Sequence, residues 1–140
     1  MDNNNNLVDL ISEKNFNIRK LKEDKWNNQY SIQITDTEWS ILSLIYGKEP
    51  APAISEISGH INITRQATHK CIKSLNSKGL ILIEKMENNN RNKCLELTPL
   101  GKTIFSENQK LKKDIEKEIE LNIGSDKFIQ LKDILKRSWG

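Results

Sequence analysis

Ile63-Thr64-Arg65-Gln66-Ala67-Thr68-His69-Lys70-Cys71-Ile72-Lys73-Ser74-Leu75-Asn76-Ser77-Lys78-Gly79 reads as one complete helix with both of its ends written. Thr64 can accept a hydrogen bond from a backbone N–H of the first turn, and Gly79 can take the left-handed conformation that stops a helix. Between these caps the 3.6-residue period places Thr68, Cys71, Ile72 and Leu75 on one face. Gln66, His69, Lys70 and Lys73 fall on the other. From Ile61 to Leu80 there are four Lys or Arg residues and no Asp or Glu, so the polar face carries one sign of charge. Such a surface is either a solvated helix face or a site for a polyanion.

The segments on either side favour the second reading. Upstream, Thr35-Asp36-Thr37-Glu38 supplies a cap with acidic residues in the first turn, and Trp39, Leu42 and Ile45 or Tyr46 follow at helical spacing as a core helix. Gly47 and Pro50-Ala51-Pro52 end it. A third short helix is predicted from about Ala53 to His60, with Ile54, Ile57 and Ile61 as its buried set. Asn62 suits a turn at positive φ that leads into the basic helix. Two short helices joined by a tight turn, the second basic on its outer face, make a helix-turn-helix.

Downstream the period changes from 3.6 to 2. Leu80 to Met86 is β-prone, Lys93-Cys94-Leu95-Glu96-Leu97 alternates, and the polar link Glu87 to Asn92 predicts a hairpin with an extended tip carrying Arg91. Thr98-Pro99 then opens a helix with Leu100, Ile104, Leu111, Ile115, Ile119 and Ile123 along one face, to about Gly124. At about 25 residues, or roughly 37 Å, it is longer than a small domain needs for itself. Ser125-Asp126 is expected to cap a last helix burying Phe128, Leu131, Ile134 and Leu135 and ending near Trp139. At the other end, Leu7, Leu10, Ile11, Ile18 and Leu21 trace a thin apolar seam on a charged helix, with a break expected near Asn15 to Asn17. Trp26 and Tyr30 close that region, and Ser31-Ile32-Gln33-Ile34 reads as an extended link.

Taken in this order, the elements resemble the MarR family of winged-helix transcription regulators. The residues that carry the resemblance are Ile34-Thr35 with Trp39, Ile57-Ser58, Thr64-Arg65-Gln66-Ala67 through Leu75, and Lys78-Gly79-Leu80. The wing position Arg91 and Leu97-Thr98-Pro99-Leu100-Gly101 complete the set. The implied fold is mainly α with a small β wing: a winged helix-turn-helix over 34–98, an N-terminal tail and dimerisation helix over 1–33, and C-terminal dimerisation helices over 99–140. Two departures stand out. Asn89 occupies the position where the family usually has an Asp that partners the wing Arg, and Ala53 stands where many relatives have a Ser or Thr cap.

As a DNA reader the basic helix would lie in the major groove. Arg65, Gln66 and His69 would approach base edges, Ala67 could offer a methyl to thymine, and Thr64, Lys70 and Lys73 would meet phosphates. Arg91, flanked by Asn89 and Lys93, would enter a minor groove. Two copies related by a dimer axis would set two such helices about 34 Å apart on a pseudo-palindrome. The resemblance further implies a small-molecule effector between the dimerisation helices and the DNA-binding lobe. Trp39, Tyr46 and Trp26 are candidate lining residues, although a core role explains them as well. The expected partners are therefore double-stranded DNA, a second copy of the chain and an effector.

Other classes fare worse. The net charge is only +3 over 140 residues, so local clustering carries more than the total. No apolar run approaches the roughly 20 residues of a membrane span, and Met1-Asp2 followed by asparagines does not resemble a secretory leader. A soluble cytoplasmic protein is expected. Cys71 and Cys94 form no Cys-x-x-Cys pair and read as free thiols, Cys71 as a small buried hydrophobe and Cys94 as the more accessible, with a redox role as its alternative reading. His60, His69, Cys71 and Cys94 lack metal-ligand spacing, and neither a phosphate-binding glycine loop nor a nucleophile elbow is present. No enzyme activity, metal or cofactor is expected. The remaining alternative is a winged helix whose basic face docks an acidic protein.

Overall fold

Six helices and one hairpin follow each other along the chain in a computed structural model that describes residues 6–86 and 89–140, with the side chains of 86–92 outside the description. The order is α1 (Leu7–Gln29), α2 (Asp36–Ile45), α3 (Ile54–Ile61), α4 (Arg65–Ser77), β1 (Ile81–Met86), β2 (Asn89–Leu97), α5 (Pro99–Ile123) and α6 (Ser125–Lys136). The chain divides into two compact units, Asn27–Glu107 and the terminal segments Met1–Trp26 with Asn108–Gly140.

In the first unit local chemistry fixes the helix ends. At α2, Thr35 Oγ1 accepts from the Glu38 N–H at 3.2 Å and Glu38 Oε1 accepts from the Thr35 N–H at 2.9 Å, a reciprocal capping box. Ala53 offers α3 no side-chain cap, and only the Glu56 carboxylate reaches back to its N–H, at 3.4 Å. Asn62 leaves α3 in the left-handed conformation at φ 57°, as the turn requires. Thr64 Oγ1 caps α4 by accepting from the Ala67 N–H at 3.0 Å. Gly79, at φ +76°, ends it in a Schellman motif: the Leu80 N–H donates to the Leu75 carbonyl and the Gly79 N–H to that of Asn76, each at 3.0 Å.

These ends aim one face of each helix inward. Ile41, Leu42, Ile45, Ile57, Thr68, Ile72, Leu75, Leu80, Ile81 and Leu95 form the core of this unit. Ile54 and Ile61 are half-buried beside Ile57, Trp39 is half-buried, and Tyr46 is exposed. The hairpin pairs Ile81 with Leu97, Ile83 with Leu95 and Lys85 with Lys93, and its register shifts between Lys85 and Met86. A feature the alternation pattern did not reveal is a third chain segment on β2: the Leu95 N–H donates to the Pro52 carbonyl at 3.0 Å, and Ala53 bridges to Cys94.

The second unit departs from expectation in three places. The N-terminal helix is unbroken across Asn15 to Asn17, because Asn costs a helix only about 0.5 kcal/mol when neither Pro nor Gly accompanies it. Ser125 lies inside α6, donating to Glu120 Oε2 at 2.8 Å, and the cap position belongs to Gly124. Finally, α6 has no buried residue: Leu131, Ile134 and Leu135, expected to be covered, are exposed, and Phe128 is half-buried. Trp26, Leu111 and Ile115 are buried, and Lys25–Glu118 and Lys132–Glu116 ion pairs at 3.2 and 3.1 Å join α1 and α6 to α5.

Candidate nucleic-acid interface

The inward face of α4 decides what its other face can do. With Thr68, Ile72 and Leu75 buried, Arg65, Gln66, His69, Lys70 and Lys73 stand exposed on one side of a single helix, and Ala67 is half-buried at the edge. Thr64 is exposed as well, but its oxygen already caps the helix, so it retains a hydroxyl proton to offer a phosphate. The structure therefore brings together every expected position on α4. Cys71 is half-buried rather than enclosed, and burial, then the Glu38 charge, pushes its thiol above the ordinary 9.0, against a smaller opposing pull from Lys70 and Lys78.

The hairpin differs from its expected form. The polar turn read over Glu87 to Asn92 is largely strand, since β2 begins at Asn89, and Asn89 and Arg91 are strand residues whose side chains lie outside the described residues. Glu87 and Asn88 lie outside them entirely. Lys93 is exposed and pairs across the hairpin with Lys85, also exposed. Like charges directly opposite each other weaken an isolated hairpin, and a polyanion relieves that repulsion. The place of Lys85 opposite Lys93 follows from the strand register, which spacing in the sequence alone does not supply.

Beneath α4 lies a polar cluster that was not expected. Glu38 is 2% exposed, and its carboxylate receives the Lys78 ammonium at 2.9 and 3.0 Å, while Lys78 also donates to the Gln33 carbonyl at 2.6 Å. Burial pushes the Glu38 carboxyl upward; hydrogen bonds from the Thr35 backbone, Lys78 and Ser74, with the Lys78 charge, outweigh it and hold the group below the usual 4.5. The sequence signal was available in the Glu of the capping box and the Lys before Gly79, but nothing in it says that they meet.

A cleft of about 430 Å³ opens at the far end of α2, lined by Ile45, Tyr46, Lys48, Glu49, Leu95 and Lys102 among others. Tyr46 stacks on Phe105 with ring centroids 4.4 Å apart. Of the three aromatics considered as pocket residues, Tyr46 lines this cleft, while Trp26 is buried and Trp39 half-buried. Among the described residues no cluster of His, Cys, Asp or Glu is disposed to hold a metal ion, and no helix is long and apolar enough to cross a membrane.

A capped basic helix, held by a preceding short helix and followed by a hairpin with paired lysines, defines a winged helix-turn-helix protein. Residues 34–93 match the model of the MarR family. Solved structures extend the likeness in fold to nearly the whole chain. A mutant of MarR from E. coli superposes with a TM-score of 0.79 at 21% identity, covering 96% of this chain and 97% of its own. FabT of Streptococcus pneumoniae in complex with DNA gives 0.78 at 19%, covering 92% and 90%. MepR of S. aureus in a DNA-binding conformation gives 0.71 at 16%, covering 93% of each. No curated protein matches the sequence.

Proposed function

We propose that the chain is a homodimeric, DNA-binding transcription regulator of the MarR type, acting in the cytoplasm as a repressor on a pseudo-palindromic operator. The observation that carries this reading is the division of α4: its buried face seats the helix, and its exposed face presents Arg65, Gln66, His69, Lys70 and Lys73 with no acid among them. Gln66 and Arg65 carry the paired hydrogen-bonding groups that suit adenine and guanine edges; Lys70, Lys73 and Thr64 suit phosphates. Lys85 and Lys93, with Asn89 and Arg91 on the same hairpin, extend the contact to the neighbouring groove. Solved relatives in fold that hold DNA support the same use of the domain.

The second copy is argued from the terminal helices. Leu121 is 86% exposed and Val8 73%, and Leu7, Phe16, Ile129, Ile134, Leu135 and Trp139 are exposed on the same unit. A monomer in water would leave this apolar surface uncovered, and a dimer covers it. Release by a small ligand is part of the proposal, and the cleft beside Tyr46 has the volume such a molecule needs.

Selection of duplexes from a random DNA pool by the full-length chain tests the reading, with the oligomeric state followed by light scattering. Enrichment of an inverted repeat by a dimer is the expected result. No enrichment, with binding to acidic proteins instead, would replace it by the protein-docking alternative.

A further inference from the structure

Ile72 and Leu75 seat α4 by burying apolar surface, an attraction that has little directional preference. Rotation of the helix about its own axis is better resisted by hydrogen bonds, which weaken steeply when misaligned. The Lys78 ammonium, just past the end of α4, makes three: to the Gln33 carbonyl at 2.6 Å and to the two Glu38 oxygens at 2.9 and 3.0 Å. Its donors are then all in use. Glu38 is itself immobilised, because the same carboxylate accepts from the Thr35 N–H at 2.9 Å. It also takes a hydrogen bond from Ser74, four residues before Lys78, so α4 is attached to one carboxylate at two points a turn apart.

The geometry points to Lys78 and Glu38 as positioning residues for DNA recognition: the pair sets the rotation of α4 and thereby which of Arg65, Gln66 and His69 meets a base edge. This rests on the DNA-binding reading above. Glu38 is buried, so its influence on DNA is indirect, through the helix whose end it holds. The leverage is large, because side-chain tips lie about 5 to 6 Å from a helix axis and a rotation of about 10° moves them by about 1 Å. That is enough to lose a base-edge hydrogen bond, whereas long lysines follow a phosphate over such a distance.

The double variant Glu38→Gln/Lys78→Met separates positioning from mere support. It removes both charges together, so none is left buried and unpaired, and the Gln oxygen can still accept from Thr35. The probes are a duplex selected by the wild-type chain from a random pool and a scrambled duplex of the same length and composition. The preference for the selected duplex is expected to fall about 10-fold, the value of one bidentate base contact, while affinity for the scrambled duplex and the melting temperature stay near wild type. Should the double variant lose cooperative melting, Glu38→Gln alone, which keeps the side-chain shape, is read in the same assay and a loss of about threefold is expected. An unchanged preference in a variant that melts like the wild type overturns the inference and leaves the DNA-binding reading standing. Equal losses on both duplexes also overturn it, since they report a loss of folded protein. A wild-type chain that selects no duplex overturns the reading and the inference with it.

Discussion

Gly101, in the first turn of α5, lies so close to Leu80 that a Cβ placed on it would stand 2.1 Å from the Leu80 carbonyl oxygen. The obstacle is backbone, and it is held: the same oxygen accepts from the Thr98 N–H at 3.1 Å, and Thr98 Oγ1 donates to the Gly79 carbonyl at 2.6 Å and accepts from the Gly101 N–H at 2.9 Å. Neither the Gly79–Leu80 segment nor the start of α5 can give way without losing these bonds. Gly101→Ala is therefore expected to cost about 3 kcal/mol, at the upper end for overpacking, even though Ala is the better helix former. Urea titration followed by circular dichroism measures it, and a stability equal to wild type would show that α5 can slide.

The Gly101 contact marks the boundary between what was legible in the sequence and what was not. Features decided within a few residues were legible: the Thr64 cap, the Gly79 stop, the left-handed Asn62 and the inward set Thr68, Ile72 and Leu75 all sit where spacing put them. Features decided by residues distant in the chain were not. Gly101 could be quoted as part of a motif, but its reason is the approach of Leu80; Lys85 meets Lys93 only through the strand register, and Glu38 meets Lys78 only through the fold. The apolar period of α6 marks a face, yet that face is uncovered in the single chain, because periodicity shows where apolar residues point and not what covers them.

Glu38 makes stability depend on acidity in a definite direction. Its carboxyl is held below 4.5 in the folded chain, so the unfolded chain binds the proton more readily. The stabilisation is fully present above the ordinary glutamate value and is lost as the pH falls from there through the lower folded value. Urea midpoints measured from neutral pH down into the acid range should decline more gently for Glu38→Gln than for wild type. Parallel curves would mean that Glu38 contributes nothing to acid unfolding. Lys78→Ala at neutral pH goes the other way, leaving Glu38 charged and buried without its partner, at a cost of about 2 to 3 kcal/mol given that Lys78 is itself partly exposed.

The two kinds of contact proposed for α4 differ in their dependence on salt. Lys73→Ala removes one phosphate partner and should weaken binding to all duplexes alike, lowering the slope of log affinity against log salt by about 1. Gln66→Ala should leave that slope unchanged and cost about 1 to 3 kcal/mol at one base pair of the selected operator. Fluorescence anisotropy titrations over a range of salt, on the selected duplex and on single-position variants of it, distinguish them. Should Gln66→Ala shift the slope and spare the sequence preference, Gln66 belongs with the phosphate contacts.

The proposed dimer predicts a substitution that harms the assembly without harming the subunit. Leu135 on α6 is 58% exposed in the single chain, so Leu135→Asp places a charge in water as long as the chain is alone. In a dimer that covers α6, the same charge is desolvated without a partner, at a cost of about 3 kcal/mol per subunit or more. The wild-type melting temperature should rise with protein concentration, because association stabilises the folded state by mass action. For Leu135→Asp that dependence should vanish, light scattering should report half the wild-type mass, and affinity for an inverted repeat should drop to that of a single half-site. A variant that keeps the dimer mass and the concentration dependence would place Leu135 outside the interface, and the exposed Leu121 and Val8 would then mark where the second copy sits.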